Sequence, residues 1–480
     1  MQSDSSHNAL TRKYGLIAAI AMVVGSVIGA GIFFRPGRVL FNTDGDIFMG
    51  VLAWVLGGIS MLSGAYVFAI LATKYEKCGG FMDYSEEIVG KKYAYGAGWF
   101  LATIYHPCAT AIMAVVAADF TSQFLGLDKS VYGWDSRFVF TLAGFYIVVL
   151  FCINVLAPKL AGKLNTTATY IKLIPIIFIG FGGMVWAIFH QTPTITDMIQ
   201  SRTEGSGSSF FGALIATGFA YGGWYTVTAL NAEIKNGKRN LPIALIAGSI
   251  IVIAAYVLYF LGLSFLGDRA NPPDPSVSGS ESNWAADAFS RLINSGFSTI
   301  MILFIIISCI GALNSNIMGQ NRSLYAISCR GLGPNSKVFS QLDPSTNSPH
   351  NASILVLGIT MFWLCIQMFS ELWGFGIYNW DKSGIIFDIG DITILGFAVT
   401  VSPIFVFFMF KMKDLHWINR FFMPLLALIT TVFSIVSFFI NGSLNNTPGW
   451  IMTLIYLAVI FVTILIGFIW FKKPKENAVA

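Results

Sequence analysis

Apolar stretches of about twenty residues or more recur from one end of this 480-residue chain to the other. A helix needs about 20 residues, at 1.5 Å rise per residue, to cross a hydrocarbon core about 30 Å thick. Because lipid offers an open backbone no hydrogen-bond partner, helices are the expected spanning element. Only 11% of the residues are charged, roughly half the share of a soluble domain. The sequence therefore predicts an all-α integral membrane protein.

Twelve membrane spans are predicted, joined by short loops. They are numbered 1 to 12 and placed at 15–41, 47–73, 94–126, 137–157, 164–190, 209–235, 241–267, 294–328, 350–371, 386–410, 417–440 and 449–471. Tails at 1–13 and 472–480 are expected to lie in the cytoplasm. Between spans 7 and 8, residues 284–292 alternate apolar and polar at helical spacing, which predicts a short helix over the outer mouth.

The basic residues are distributed unequally between the two sides of this topology. With both termini inside, twenty of the 29 Lys and Arg residues fall in cytoplasmic segments, eight fall outside, and Lys172 lies within a span. Lys and Arg resist translocation, so this excess predicts cytoplasmic termini. We expect a multi-pass protein of the plasma or inner membrane.

Glycine clusters interrupt two of the spans near mid-membrane. Span 1 contains Gly25-Ser26-Val27-Ile28-Gly29-Ala30-Gly31, and span 6 contains Gly218-Phe219-Ala220-Tyr221-Gly222-Gly223. Glycine costs about 1 kcal/mol against alanine within a helix. Clusters at matching places, five spans apart, predict an inverted repeat with a binding site at the breaks. For span 1 alone, a small-residue face for close helix packing is the alternative.

Unwound helices expose backbone groups that a charged solute can satisfy. Half-helix N-termini present N–H groups and partial positive charge to a carboxylate, while exposed carbonyls accept from an ammonium. A molecule that carries both groups about one carbon apart is an amino acid. The two breaks therefore predict a carrier for a small zwitterion.

Four motifs resemble those of one transporter superfamily. They are GSVIGAGIF at 25–33, GGFMDY at 79–84, EIKNGKRNLP at 233–242 and RSLYAISCRGLGP at 322–334. In this order they are similar to the amino acid, polyamine and organocation superfamily, and within it to the L-type branch. Prokaryotic members that exchange serine, threonine and alanine are the most similar group. The resemblance covers nearly the whole chain.

The resemblance implies a LeuT-like fold, with repeats at 14–190 (spans 1–5) and 209–410 (spans 6–10) and peripheral spans 11 and 12 at 417–471. It places the substrate carboxylate on amides near Ala30 and Gly31, and the ammonium on the carbonyls of Val27, Phe219 and Gly222. Phe219 is expected as an aromatic lid, and Tyr256 as a tyrosine near the site. The full set of expected substrate contacts is Ser26, Val27, Ile28, Gly29, Ala30, Gly31, Phe219, Ala220, Tyr221, Gly222 and Tyr256.

Lys172 lies about eight residues into span 5, roughly 12 Å deep at 1.5 Å per residue. An unpaired ammonium there is costly, so a partner is expected. The resemblance implies that it replaces the second sodium ion of sodium-coupled relatives and links span 1 to span 8, through carbonyls near Val24 and Gly25 and through Asn314 and Ser315. Sodium independence would follow. Snorkelling to the interface is the alternative, and a proton-releasing lysine stays open.

Three further ionisable residues lie near the predicted pathway. His106, beside Pro107 in span 3, either lines the pathway or bonds a backbone group that Pro107 frees. Asp388 and Asp391, near the start of span 10, depart from the neutral residues expected there. They form either an ordinary helix end, which negative charge stabilises, or an outer gate that favours cationic substrates.

Other protein classes are not supported by the motifs. The sequence contains no nucleophile elbow, metal-ligand spacing or phosphate loop, and no repeated filter loops, so neither an enzyme nor a channel is indicated. We expect no cofactor, metal or nucleic-acid partner, and contacts only with membrane lipid and a small amino acid. Segment 127–135 lacks the cysteine with which animal relatives bond a heavy chain, so no such partner is expected. Exchange is favoured, with proton symport and cationic substrates as alternatives.

Overall fold

The structure is a computed structural model, and it describes residues 12, 14–29, 31–75, 80–127, 136–190, 210–268, 280–346, 348–373, 387–441 and 449–471. These residues form helices and their connections, and contain no β-strand beyond one isolated bridge between Tyr14 and Ile234. The prediction of an all-α membrane protein is confirmed.

Ten helices of the described part are long and apolar enough to cross a membrane. They correspond to spans 2 to 5 and 7 to 12, and run over Ile47–Lys74, Lys91–Phe124, Arg137–Leu156, Pro158–Phe189, Gly237–Leu266, Thr299–Cys329, His350–Glu371, Ile389–Lys411, Ile418–Ile440 and Trp450–Trp470. Most ends of these helices lie within three residues of the ends predicted from the sequence. Span 5 begins six residues early, because Pro158 at the first helical positions suits a helix start and the polar residues after it continue the helix.

Spans 1 and 6 are the two interrupted ones. Span 1 consists of helices Leu16–Val27 and Gly31–Asn42. Span 6 consists of helix Phe210–Ala220, a turn, and a 3₁₀ helix over Trp224–Glu233. The turn begins after Ala220, so Gly218 stays helical and only the C-terminal part of its glycine cluster is unwound. With these two, the described residues contain helices at all twelve predicted spans.

Short helices and polar contacts join the spans at both faces of the bundle. We call the face at which span 1 begins the proximal face and the opposite one the distal face. Proximally, helix Phe81–Ile88 precedes span 3, and Asp83 within it pairs with Arg330 at the end of span 8. Distally, helix Ser280–Leu292 packs by Trp284 on Gly267. The predicted short helix between spans 7 and 8 is confirmed.

Candidate functional site

A cavity of about 120 Å³ lies where the two broken spans meet. One water requires roughly 10–15 Å³ of such space, so the cavity has room for a small organic molecule of several heavy atoms. Spans 1, 3, 6, 8 and 10 contribute its walls. The expected contacts that line it are Ser26, Val27, Gly29, Gly31, Phe219, Ala220 and Gly222.

Two glycines allow the breaks to approach each other. A Cβ on Gly31 would lie 2.9 Å from the Cα of Ala220, and a Cβ on Gly223 would lie 2.8 Å from the carbonyl oxygen of Ser26. Gly223 also has φ +91°, a conformation that other residues rarely adopt. Both glycines therefore allow the two broken spans to come into close contact.

Lys172 lies directly behind the break of span 1. Its side chain is buried, and its ammonium donates to the carbonyl of Gly25 and, at 2.6 Å, to the carbonyl of Ile28. Both carbonyls belong to the last turn of the first half-helix, where intrahelical donors run out. Snorkelling is therefore wrong for this lysine, which is bonded inside the bundle.

Asn314 and Ser315 have partners other than Lys172. The Asn314 amide donates to the carbonyl of Ala161 at 2.9 Å and accepts from Asn154 at 2.7 Å, and the Ser315 hydroxyl donates to Asn165. Span 8 is thus tied to spans 4 and 5 by its own polar residues. Their expected bond with the lysine is wrong, because Lys172 bonds Gly25 and Ile28 while both side chains have these other partners.

Tyr256 joins the two breaks from behind the cavity wall. Its hydroxyl lies 3.0 Å from the carbonyl of Val27 in span 1 and 3.0 Å from the carbonyl of Ala220 in span 6. The ring is fully buried against Trp54, at 5.4 Å between centroids. Tyr256 is not among the cavity-lining residues, so its expected direct contact with substrate is corrected to a bridge between the two spans.

Two other expected contacts, Ile28 and Tyr221, lie elsewhere. Ile28 is buried away from the cavity, and its carbonyl is bonded to Lys172. The Tyr221 side chain packs against span 2 and donates to the carbonyl of Trp54 at 2.8 Å. Ala30 lies outside the described residues.

Phe219 borders the cavity on the side nearer the distal face. Its ring would be 3.2 Å from a Cβ on Gly31, and the guanidinium carbon of Arg35 lies 5.2 Å from the ring centroid. A cation over an aromatic face is attracted to it. Phe219, the expected lid residue, therefore contacts span 1 at the distal side of the cavity.

Aromatic side chains fill the space between the cavity and the proximal face. Tyr105 and Phe397 line the cavity, and Tyr225 stacks on Phe397 at 4.7 Å between centroids. Behind them Phe81 contacts Tyr225 at 5.9 Å. We call these four residues the proximal aromatic cluster. No local sequence pattern predicts this cluster, since its members come from four separate segments.

Asn316 is a cavity-lining side chain that the sequence analysis also missed. Its amide nitrogen donates to the Thr110 hydroxyl at 2.7 Å and to the carbonyl of His106 at 3.2 Å. Thr110 in turn donates to Gln320 at 2.5 Å, and Gln320 donates to Thr360 at 2.7 Å. This buried chain of bonds orients the Asn316 amide. The run Asn314-Ser315-Asn316 in an apolar span was the available signal.

His106 is buried beside Tyr105 and does not line the cavity. The carbonyl four residues before Pro107 belongs to Thr103, and it accepts from the Trp363 indole at 2.9 Å. The expected bond of His106 to a group freed by Pro107 is therefore wrong. A π-helical turn at Leu101–Tyr105 precedes the proline and accommodates it.

Asp388 and Asp391 also lie outside the cavity lining. The Asp388 carboxylate accepts from the amide of Gly390 at 2.7 Å and so caps span 10. Asp391 is within electrostatic range of Arg35 and Arg38 of span 1. Asp391 therefore lies near cations of the same chain, and the helix-end interpretation describes Asp388.

The fold and the cavity define a membrane carrier of the amino acid permease class. A family model described as amino acid permease matches residues 14–471, and the chain belongs to that family. It is part of the amino acid, polyamine and organocation superfamily that the motifs indicated, and the resemblance to the L-type branch is confirmed.

Particular relatives support this membership. The chain is similar to the serine/threonine exchanger SteT of Bacillus subtilis (strain 168), with 31% identity over 77% of this chain and 81% of that protein. It is similar to the human cystine/glutamate transporter, with 25% identity over 97% and 87% of the two chains. It is also similar to the human b(0,+)-type amino acid transporter 1, with 27% identity over 67% and 64%.

Proposed function

We propose that the chain is a sodium-independent exchanger of small neutral L-amino acids that works by alternating access. The observation that carries the proposal is the cavity of about 120 Å³ enclosed by the two broken spans. Its size suits a short side chain, and the 31% identity to a serine/threonine exchanger supports the same substrate class.

The main-chain groups at the breaks supply both ends of the substrate site in this proposal. Gly31 borders the cavity and begins the second half-helix of span 1, where the first amides have no helical partner. These amides bind the carboxylate. The carbonyls of Phe219 and Gly222 accept from the ammonium, together with the free lone pair of Val27.

Sodium independence rests on Lys172. Its ammonium already occupies the carbonyls of Gly25 and Ile28, the groups an alkali cation would require. A fixed cation bonded in this way replaces the ion and keeps the break of span 1 in place. Proton symport remains the second candidate, because a buried lysine is the one cation in the described spans that could release a proton next to the break.

Cationic substrates are less favoured. Asp388 and Asp391 were the residues that suggested them, but neither borders the cavity. Asp391 instead faces Arg35 and Arg38. The cavity wall near these carboxylates is formed by Thr393, Ile394 and Phe397, which carry no charge.

Alternating access is proposed to move the first repeat (14–190) against the second (209–410), with spans 11 and 12 at the periphery. Lys172 keeps its bonds to the break of span 1 throughout, whereas the contact of Tyr256 with Val27 stretches or exchanges as the two repeats move. The proximal aromatic cluster and Phe219 with Arg35 are the two barriers that open in turn. Both termini are assigned to the cytoplasm of a cell-membrane protein, following the excess of Lys and Arg on that side.

Counterflow in proteoliposomes tests the proposal. Purified protein is reconstituted with internal unlabelled serine, and uptake of labelled serine is followed with and without sodium and with and without a pH gradient. We expect uptake that requires internal amino acid and ignores sodium. Uptake into empty liposomes driven by acidic medium would support proton symport, and inhibition by arginine at serine-like concentrations would support cationic substrates.

A further inference from the structure

A second cavity opens at the lipid-facing side of the bundle, separate from the site between the breaks. It measures about 240 Å³ and lies between spans 4, 5 and 8. Its walls include Leu164 and Ile171 of span 5 and Ile307 and Ile310 of span 8. The side chain of Leu164 is 40% exposed. Such a concave apolar surface within the hydrocarbon region suits an apolar ligand.

The buried amide at this groove is already satisfied. Asn314 borders the groove, but its amide donates to Ala161 at 2.9 Å and accepts from Asn154 at 2.7 Å. A Cβ on Gly311 would lie 2.3 Å from the Cβ of Ala168, so spans 5 and 8 touch along the floor. The groove therefore offers hydrocarbon a wall that is apolar apart from the exposed Thr167 hydroxyl.

Two lysines of span 5 lie at the proximal end of the helix face that lines the groove. Lys159, Lys163, Thr167 and Ile171 follow each other at intervals of four residues, and such residues share a face. Thr167 and Ile171 line the groove, and Lys163 lies one turn, about 6 Å, before Thr167. Both lysines are exposed, and neither is paired with a carboxylate of the described residues.

We propose that this groove binds one acyl chain of an anionic phospholipid, whose phosphate lies on Lys163 and Lys159. The apolar wall selects hydrocarbon, and the two cations at its proximal end select negative charge at the depth of the headgroups. Span 5 is 32 residues long, so its first turn extends beyond the hydrocarbon core and places these lysines among the headgroups.

Native mass spectrometry of the full chain in detergent tests this site. The protein is titrated with phosphatidylglycerol and, separately, with phosphatidylcholine. We expect the parent to bind phosphatidylglycerol more tightly. The double variant Lys159→Gln with Lys163→Gln is expected to weaken phosphatidylglycerol binding about tenfold or more. Thr167→Phe, which fills the groove, is expected to weaken binding of both lipids.

Matched controls separate this site from general lipid contact. Lys337→Gln removes an exposed proximal lysine outside the groove, and Ile354→Phe enlarges a side chain on span 9 that is 67% exposed. Neither is expected to change lipid binding. Unchanged phosphatidylglycerol binding by the double lysine variant, or by Thr167→Phe, overturns the proposal. If Thr167→Phe is not monodisperse, Leu164→Phe tests the same wall.

Discussion

Tyr256 and Val27 are joined by a hydrogen bond 3.0 Å long, from a hydroxyl in span 7 to a carbonyl at the end of the first half of span 1. The same hydroxyl lies 3.0 Å from the carbonyl of Ala220 in span 6. A single side chain thus connects the two breaks that enclose the cavity. Motion of one broken span relative to the other must stretch or exchange this contact.

Tyr256→Phe removes this bridge while keeping the ring. A hydrogen bond contributes about 1 kcal/mol, so the KM for serine should rise about fivefold with little change in folding. Tyr259→Phe is the matched control, because Tyr259 is equally buried in the same span and its hydroxyl has no partner among the described residues. Uptake kinetics in proteoliposomes measure both. Equal KM values for serine in the two variants would contradict the bridging role of Tyr256.

Lys172→Met keeps the apolar stem and removes the ammonium. The carbonyls of Gly25 and Ile28 then lose their donor, at a cost of roughly 1–3 kcal/mol for each buried group. We expect at least a tenfold lower exchange rate in protein that remains monodisperse. Lys337→Met, at an exposed lysine, should exchange at the parent rate. Parent-like exchange by Lys172→Met would contradict the proposed brace.

Asn316→Ala tests recognition of the substrate side chain. The Asn316 amide is oriented by Thr110 and the His106 carbonyl and borders the cavity. Its loss should weaken serine, which carries a hydroxyl, about fivefold more than alanine. The ratio of the two uptake efficiencies is the measurement. A general packing defect would lower both substrates equally and leave that ratio unchanged.

Asp83→Asn tests closure at the proximal face. The Asp83 side chain is 7% exposed and pairs with Arg330, whereas the Asp414 side chain, paired with Lys74, is 66% exposed. Exposed pairs contribute little, so Asp414→Asn is the control. Gly319→Cys serves as reporter, since it borders the cavity and an added Cβ meets no atom within 4 Å.

Labelling of Gly319→Cys by an impermeant thiol reagent, in a background lacking the other cysteines, measures this closure. Added from the proximal side, the reagent should react severalfold faster when Asp83→Asn is present and at an unchanged rate with Asp414→Asn. Equal acceleration by both substitutions would mean that the Asp83–Arg330 pair does not specifically restrict access.

Asp343 predicts a pH dependence in the loop between spans 8 and 9. The Ser345 hydroxyl and then the Thr346 amide, which donate to its carboxylate, lower the pKa of Asp343 from 3.8 to about 2. A lowered folded-state pKa means that the stabilisation is present above pH 3.8 and is lost as pH falls through about 2.

Hydrogen exchange of the Ser345 and Thr346 amides checks this dependence. Asp343→Asn should accelerate their exchange relative to the parent at pH 7 and still at pH 3, because the carboxylate remains largely ionised there. Loss of most of the difference by pH 3 would indicate an ordinary carboxyl.

Local sequence properties were enough for the helical framework. Hydropathy over about twenty residues placed the twelve spans, and the glycine clusters at 25–31 and 218–223 located the two breaks. Both signals lie within a single span, so they can be identified without knowledge of neighbouring helices. Hydropathy did not determine the lengths of the half-helices or the start of span 5, because caps and prolines shift helix ends by several residues.

The partners of the polar side chains were decided only by the tertiary structure. Lys172 is 147 residues from Gly25 in the chain, and Tyr256 is 229 from Val27. The sequence determined that the buried ammonium of Lys172 needed a partner. It did not determine that Tyr256 bridges two carbonyls or that Asn316 borders the cavity. Such choices depend on which groups meet when distant helices pack, and no local pattern encodes that geometry.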